Sequence, residues 1–359
     1  MKITIFIGGL SRGGAERVTC NLANSLVCKG HEVTVLTMSD EAAAYPLRDG
    51  VEQKVLIRQS ERRSFAYNAV LRFLRFCKYL RHEQPDVYIV MLPITTIMLL
   101  QLRRLTKAKV IAAERNNPAS YAKKKQRALR RLARRADGWV FQTEKERTWY
   151  GDAVGRADVV TIPNAINPDF IQPPFGGSRR KIIVSVGRMS PQKNQALLVR
   201  AFAAIAGMFM DYRLVIYGEG EKRRELQALA NQLEVADRVD FPGYATNIGE
   251  KIQDAALFVL PSDFEGMPNS LMEAMALGLP CIATDCDGGG ARFLIDNEKN
   301  GLLVPKGDVE ALAGAMRRML GDRGFAEQCG HEAHNICERL APERVYGQWE
   351  QFIKEVVKA

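Results

Sequence analysis

Histidine is scarce in this chain, with four among 359 residues. The seven cysteines include no C-x-x-C pair and no metal-ligand spacing, so no structural metal is expected. No cofactor is expected either. They are expected as reduced thiols in a cytosolic protein. No run reaches the ~20 apolar residues that span a bilayer. The longest, 87–102, is interrupted by Pro93 and Thr95-Thr96. The opening MKITIFI ends in Gly8-Gly9 and reads as a first strand, not a signal peptide. Acidic residues are short in the first half. Residues 1–168 carry 29 Lys+Arg against 15 Asp+Glu, and the remainder 22 against 26. The whole positive balance lies in the first half, which points to a polyanionic partner there.

The most informative stretch is 261–280, PSDFEGMPNSLMEAMALGLP. The apolar strand 256–260 runs into it, and Pro261 stops that strand. Glu265-Gly266-Met267-Pro268 forms a tight loop, Asn269 or Ser270 caps a following helix, and Gly278 ends it. Seven residues separate Glu265 from Glu273, with the N–H groups of a helix start between them. Such a loop suits a sugar nucleotide. One carboxylate accepts from sugar hydroxyls, the N–H groups hold a diphosphate, and the second carboxylate accepts from a ribose diol.

Elsewhere strands and helices alternate. Strands are predicted at 2–7, 31–37, near 55–57, 87–92, 109–113, 139–142 and 159–162, with helices at 15–29 and 65–81. Around 167–178, NPDFIQPPFGGS has no periodicity and reads as a linker. Alternation then restarts with strands at 181–186, 212–217, 239–241, 256–260, 280–284 and 301–304. Helices are predicted at 192–207, 221–233, 248–254, 309–320 and 342–358. The last has Val345, Trp349, Phe352, Ile353 and Val356 on one face, which needs something to pack on.

Three further turns and one helix carry chemistry. Gly13 and Gly14, after the first strand, let a phosphate or sugar approach the backbone. Arg188 and Lys193, around the turn after strand 181–186, are placed to clamp a diphosphate and stabilise its negative charge. Gly218 and Gly220 allow another close backbone approach. Residues 123–135, KKKQRALRRLARR, have eight basic residues of thirteen and no acid. Arg127, Arg130, Arg131 and Arg134 share a stripe, and helix 65–81 adds Arg72, Arg75, Lys78 and Arg81. Both read as a surface for anionic headgroups or a lipid-linked pyrophosphate. No nucleic-acid motif accompanies them, so no nucleic-acid partner is expected.

The 261–280 stretch resembles the E-x7-E motif of retaining glycosyltransferases of family 4. The strings GGAER at 13–17 and GRMSPQKN at 187–194 are similar to that family's glycine loop and G-R-x4-K-N motif. The resemblance implies the α/β GT-B fold: two Rossmann-like doubly wound parallel-sheet domains facing across a cleft, with a C-terminal helix crossing back. It implies an acceptor-side domain over 1–168, a linker at 169–180, a nucleotide-sugar domain over 181–341, and helix 342–359 on the first domain. It implies that Glu265 contacts the donor sugar and Glu273 the ribose, with Gly266, Met267, Pro268, Asn269 and Ser270 around the donor. Gly13, Gly14, Gly218 and Gly220 would approach it, and Tyr244 would line the base pocket. Many members have a histidine where this chain has Glu114-Arg115. Arg115 then contacts the donor, Glu114 orients the acceptor hydroxyl, or both are structural.

With GGGAR at 288–292, the chain is most similar to enzymes that extend polyprenyl-pyrophosphate-linked oligosaccharides, including N-acetylgalactosamine transferases of bacterial N-glycosylation. The implied reaction is retaining transfer from a nucleotide sugar, UDP-GalNAc first among donors, to a lipid-linked pyrophosphate saccharide. The implied place is an anionic membrane surface on the cytoplasmic side. Rival readings are a soluble family 4 enzyme with UDP-galactose, UDP-glucose, UDP-GlcNAc or GDP-mannose, a nicotinamide-dependent dehydrogenase, and a non-catalytic nucleotide-sugar or nucleic-acid-binding module. The dehydrogenase fits poorly, because residues 8–13 give G-x-G-x-x-G spacing only loosely.

Overall fold

A computed structural model describes residues 1–11, 13–40 and 43–359. The chain divides into two compact units, Met1–Ala165 with Glu343–Ala359, and Ile166–Pro342.

The first unit runs β1 (Lys2–Ile7), α1 (Gly14–Cys28), β2 (Glu32–Thr37), β3 (Val51–Val55), α2 (Phe65–His82), β4 (Val87–Met91), α3 (Pro93–Gln101), β5 (Lys109–Ala113), α4 (Lys123–Leu132), β6 (Gly138–Phe141), α5 (Glu144–Tyr150) and β7 (Asp158–Thr161). The strands are parallel in the order β3-β2-β1-β4-β5-β6-β7. Helices cover both faces, so the central strands are apolar without alternation, and every residue of β4 is buried. One core gathers Ile5, Ile89 and Ile111, and the opposite one Phe6, Tyr88 and Trp139.

The second unit runs β8 (Arg180–Val186), α6 (Gln195–Ala206), β9 (Arg213–Tyr217), α7 (Arg223–Gln232), β10 (Val239–Gly243), α8 (Ile248–Ile252), β11 (Ala255–Leu260), α9 (Asn269–Ala276), β12 (Cys281–Asp285), α10 (Gly290–Leu294), β13 (Leu302–Pro305), α11 (Val309–Gly321), α12 (Arg323–His334) and α13 (Ile336–Arg339). Its parallel sheet has the order β10-β9-β8-β11-β12-β13, again with a core on each face. The final helix, α14 (Pro342–Lys358), lies on the first unit. Val345, Trp349 and Ile353 enter the core of Ile5 and Ile111. Gly138 makes room for it: a Cβ there would stand 3.0 Å from Val356 and 3.1 Å from Phe352. Glu350 binds Lys29 at 2.9 Å and meets His31 at 3.2 Å.

Four sequence expectations change. Residues 166–180 are part of the second unit's packing, not a free linker. Ile166 and Phe170 are buried, and the Arg179 guanidinium donates to the carbonyls of Gln253, Ala255 and Gly278. Absence of periodicity did not mean absence of packing. Pro93 does not simply break an apolar run but opens α3, where its missing N–H costs nothing. β3 lies at 51–55, four residues before its predicted start, because an edge strand with exposed Glu52 and Gln53 has little apolar signal. The helices α3, α5, α10, α12 and α13 were not foreseen.

Candidate functional site

In the second unit the carboxyl ends of the parallel strands build one crowded edge. Backbone bonds join the turns there: Gly187 N–H donates to Tyr217 at 3.0 Å, Met189 to Glu219 at 2.9 Å and Gly218 to Gly243 at 2.8 Å. The turns touch so closely that side chains are excluded. A Cβ on Gly218 would stand 2.1 Å from the Gly187 carbonyl oxygen, and on Gly220 2.2 Å from that of Met189. Gly218 also takes φ +131°, which favours glycine.

Glu265 and Lys193, 72 residues apart, meet on this edge. The Lys193 ammonium donates to Glu265 Oε1 at 2.6 Å, and the Ser262 hydroxyl donates to the same oxygen at 2.7 Å. Both partners are largely buried. Three bonds sew the two loops together: Asp263 N–H to the Gln192 carbonyl, Gln192 Nε2 to the Phe264 carbonyl, and Asn194 Nδ2 to Asp263 Oδ1, each at 2.9 Å. Asn194 takes left-handed backbone, φ 42°, to turn the chain into α6. The loop 264–268 rests on α10. A Cβ on Gly290 would stand 1.8 Å from the Gly266 oxygen, which accounts for glycine there. Arg188 is on the same turn as Lys193, but its side chain is exposed and its carbonyl accepts from Gln195.

Neither Asn269 nor Ser270 caps α9. Pro268 is the cap residue, with no side-chain bond to the helix start. A proline there sets the extended backbone that the tight loop needs. Met267 and Glu273 are buried, and Tyr244 is exposed beyond β10. Ser262, Gln192, Asp263 and Asn194 complete the site, and sequence reasoning did not single out their bonding. Only the position of Ser262, three residues before Glu265, hinted at it.

In the first unit, Gly13 caps α1 without a side-chain bond, and Gly14 opens the helix. Arg12 of that turn lies outside the described residues. Glu114 and Arg115, after β5, are buried. Glu114 accepts from the hydroxyls of Tyr121 at 2.6 Å and Tyr150 at 2.8 Å, and from the N–H groups of Arg115 and Asn116. Burial pushes its carboxyl up, while the two tyrosines and the two N–H groups pull it down. Tyr121 stands just before α4, so Glu114 ties the end of β5 to that basic helix. Gln126 strengthens the tie by donating to the Ala119 and Tyr121 carbonyls.

The Arg115 guanidinium lies 5.0 Å over the Trp349 ring of α14 and donates to Asn164 at 3.3 Å. Burial lowers its pKa to about 10, against the pull of Glu146 and Glu114. Glu146 sits in the same cluster, where burial first and Glu114 second push its carboxyl well up. On α4, Arg127, Arg130, Arg131 and the following Arg134 are exposed while Leu129 and Leu132 are buried. Arg130 leans on Trp149, 5.4 Å over its ring.

Comparison with known proteins accounts for both units. Residues 12–170 match the model described as Glycosyltransferase Family 4, and 169–336 that described as Glycosyl transferases group 1. Over 365 residues the chain is 29% identical to a Campylobacter jejuni protein, spanning all of both chains. That protein is described as a GalNAc-alpha-(1->4)-GalNAc-alpha-(1->3)-diNAcBac-PP-undecaprenol alpha-1,4-N-acetyl-D-galactosaminyltransferase. A second Campylobacter jejuni relative is 29% identical over 89% of this chain and 90% of its own. It is described as an N-acetylgalactosamine-N,N'-diacetylbacillosaminyl-diphospho-undecaprenol 4-alpha-N-acetylgalactosaminyltransferase. Among solved structures, Anabaena Alr3699/HepE in complex with UDP and glucose superposes with a TM-score of 0.85 over 99% of each chain, at 18% identity, a likeness of fold.

Proposed function

We propose that this chain, which belongs to the GT-B glycosyltransferases with a family 4 and a group 1 domain, transfers N-acetylgalactosamine from UDP-GalNAc to a polyprenyl-pyrophosphate-linked saccharide with retention of configuration. The observation that carries the reading is the Lys193–Glu265 pair, held at 2.6 Å beside turns packed so closely that only glycine fits. Glu265 accepts from hydroxyls of the transferred sugar, and Glu273 from the ribose. Arg188 and Lys193 take the charge that grows on the departing diphosphate as the anomeric C–O bond breaks. The acceptor hydroxyl attacks the face the diphosphate leaves, and its proton passes to a phosphate oxygen. The pair has a further consequence: the carboxylate fixes the ammonium before the donor arrives, so little reorganisation is left for the transition state.

The names of the two Campylobacter relatives support the donor and the lipid-linked acceptor. In the first unit, Arg127, Arg130, Arg131 and Arg134 hold the acceptor's pyrophosphate, and Glu114 acts through Tyr121 as a positioning residue for their helix. No helix among the described residues is long and apolar enough to cross a membrane. In this reading the enzyme meets its acceptor at the cytoplasmic membrane surface, on anionic headgroups, with the exposed arginines of α4 facing them. Nucleotide release from a panel of UDP- and GDP-sugars, each with and without a polyprenyl-pyrophosphate-linked sugar, tests this. Release that needs UDP-GalNAc and the lipid-linked acceptor is expected. Release with a water-soluble acceptor alone overturns the acceptor assignment, and release with another donor overturns the sugar.

A further inference from the structure

The helix α2 joins two features that sugar transfer leaves unused. Its N-terminal half exposes large apolar side chains: Phe65 is 91% exposed, Val70 59% and Leu74 58%. Its C-terminal half walls an open cavity of about 460 Å³ against the edge strand β3. Lys54, Arg58, Arg75, Lys78 and His82 line that cavity with Tyr79, against one acid, Glu83. Two of the cations are already committed. Arg75 makes a two-pronged pair with Glu61 at 2.6 and 2.7 Å, and Lys54 binds Glu83 at 2.8 Å. Lys78 and His82, both exposed, have no ion-pair partner among the described residues.

Spacing connects the two halves. Val70, Leu74, Lys78 and His82 follow one another at four-residue steps, so they form one row along the helix. Each step rises about 6 Å. A helix lying at the boundary of a bilayer places its apolar face about 5–10 Å into the headgroup and acyl region. Each step also turns the row by about 40° around the axis, so it leaves the apolar face at Leu74 and reaches the cavity from Lys78 on.

We propose that the cavity between α2 and β3 holds the phosphate of an anionic membrane phospholipid, with Lys78 and His82 as its donors and the lipid's chains against Val70 and Leu74. This rests on the membrane reading above and makes the attachment selective for a phosphodiester headgroup, not for negative charge alone. A diffuse basic face needs no cavity, and a purely apolar anchor needs no cations at its end.

The test is flotation of the full chain with three vesicles: phosphatidylcholine alone, phosphatidylcholine with phosphatidylglycerol, and phosphatidylcholine with oleate at matched surface charge. Phosphatidylglycerol vesicles are expected to bind about tenfold tighter than oleate vesicles, which is about 1.4 kcal/mol. The double variant Lys78→Gln/His82→Gln should erase that preference. A control in the second unit that removes the same two residue types, Lys251→Gln/His331→Gln, should keep it. Val70→Ser/Leu74→Ser should weaken binding to all vesicles. Thermal melting of each variant confirms that it folds. Equal binding to phosphatidylglycerol and oleate, or a preference that survives in Lys78→Gln/His82→Gln, overturns the phosphate site and leaves the membrane reading standing. No binding to any vesicle overturns both. Release from phosphatidylglycerol vesicles by millimolar glycerol phosphate, at constant ionic strength, would assign the cavity to a soluble phosphate ester and overturn the lipid.

Discussion

The two units solve the handling of charge in opposite ways. In the second, the charged groups of the site lie in loops sewn by backbone bonds, and Lys193 is paired with Glu265 at the strand ends. In the first, charge is either sunk beneath the surface, as in Glu114, Arg115 and Glu146, or set out on α4. The second arrangement fixes a few groups by short bonds, an arrangement suited to one small ligand. The first gives a supporting polar core and a broad cationic face that suits a larger acceptor. The difference teaches where each unit is fragile. The second unit should lose activity without losing its fold, and the first should lose stability or acceptor affinity before it loses donor chemistry.

The sharpest break of this comparison is at Glu265. Glu265→Ala is expected to lower kcat about 10³-fold, as loss of a preorganised electrostatic partner does. Steady-state nucleotide release gives the rate, and circular dichroism should show a folded spectrum with a melting curve lowered by a few degrees, because Lys193 loses its buried partner. A collapsed fold would make Glu265 a structural residue. Next comes Gly290→Ala. Its methyl cannot share space with the Gly266 oxygen, so the loop carrying Glu265 must shift. A displacement of about 1 Å costs about 10² in rate. Gly207, with nothing within 4 Å of an added Cβ, is the matched control for Gly→Ala, and assays of both separate site geometry from glycine loss.

A smaller effect is expected from Arg127→Gln/Arg130→Gln/Arg131→Gln/Arg134→Gln. Its KM for a lipid-linked acceptor should rise about tenfold, or about 1.4 kcal/mol shared among four exposed cations. Calorimetric binding of free UDP should not change. Equal loss of both would dissolve the contrast between units. The smallest effect concerns pH. The Glu146 carboxyl is pushed well above its ordinary value of 4.5, mainly by burial. The fold therefore favours its protonated form. The stability this lends is complete below the ordinary value and is lost as pH rises through the raised one. Glu146→Gln cannot ionise, so its melting temperature should fall less between pH 5 and pH 8, ending about 2–4 °C above the unaltered protein. Calorimetric scans across that range decide it, and parallel curves would show that Glu146 does not titrate there.

How much of this was legible in the sequence differs between the units in the same way. Gly218 and Gly220 announce close backbone approach, since only glycine lacks the Cβ that would collide, whereas Gly290, packed against the Gly266 oxygen, did not stand out in that way. Glu265 and Lys193 stood in motifs whose residue types suit a sugar diphosphate. Their direct pairing did not show, because 72 residues separate them and a strand-end juxtaposition depends on sheet order. The cap of α9 went to Pro268, because the loop's contact with Gly290 fixes the chain before Asn269 can turn. Glu114 read as a site residue because it follows a strand, yet two tyrosines from other segments occupy it.

The order of strands and helices, the glycine turns, the asymmetry of charge and the basic face of α4 were determined by the sequence itself. Each depends on neighbours along the chain: period, φ preference, or the sum of local charge. The sheet order, the return of α14 to the first unit, the Lys193–Glu265 contact, the burial of Arg115 under Trp349 and the cavity beside α2 were decided only in the tertiary structure. These are questions of which surfaces are left to cover and which distant groups share a dry space, and no local pattern carries that information.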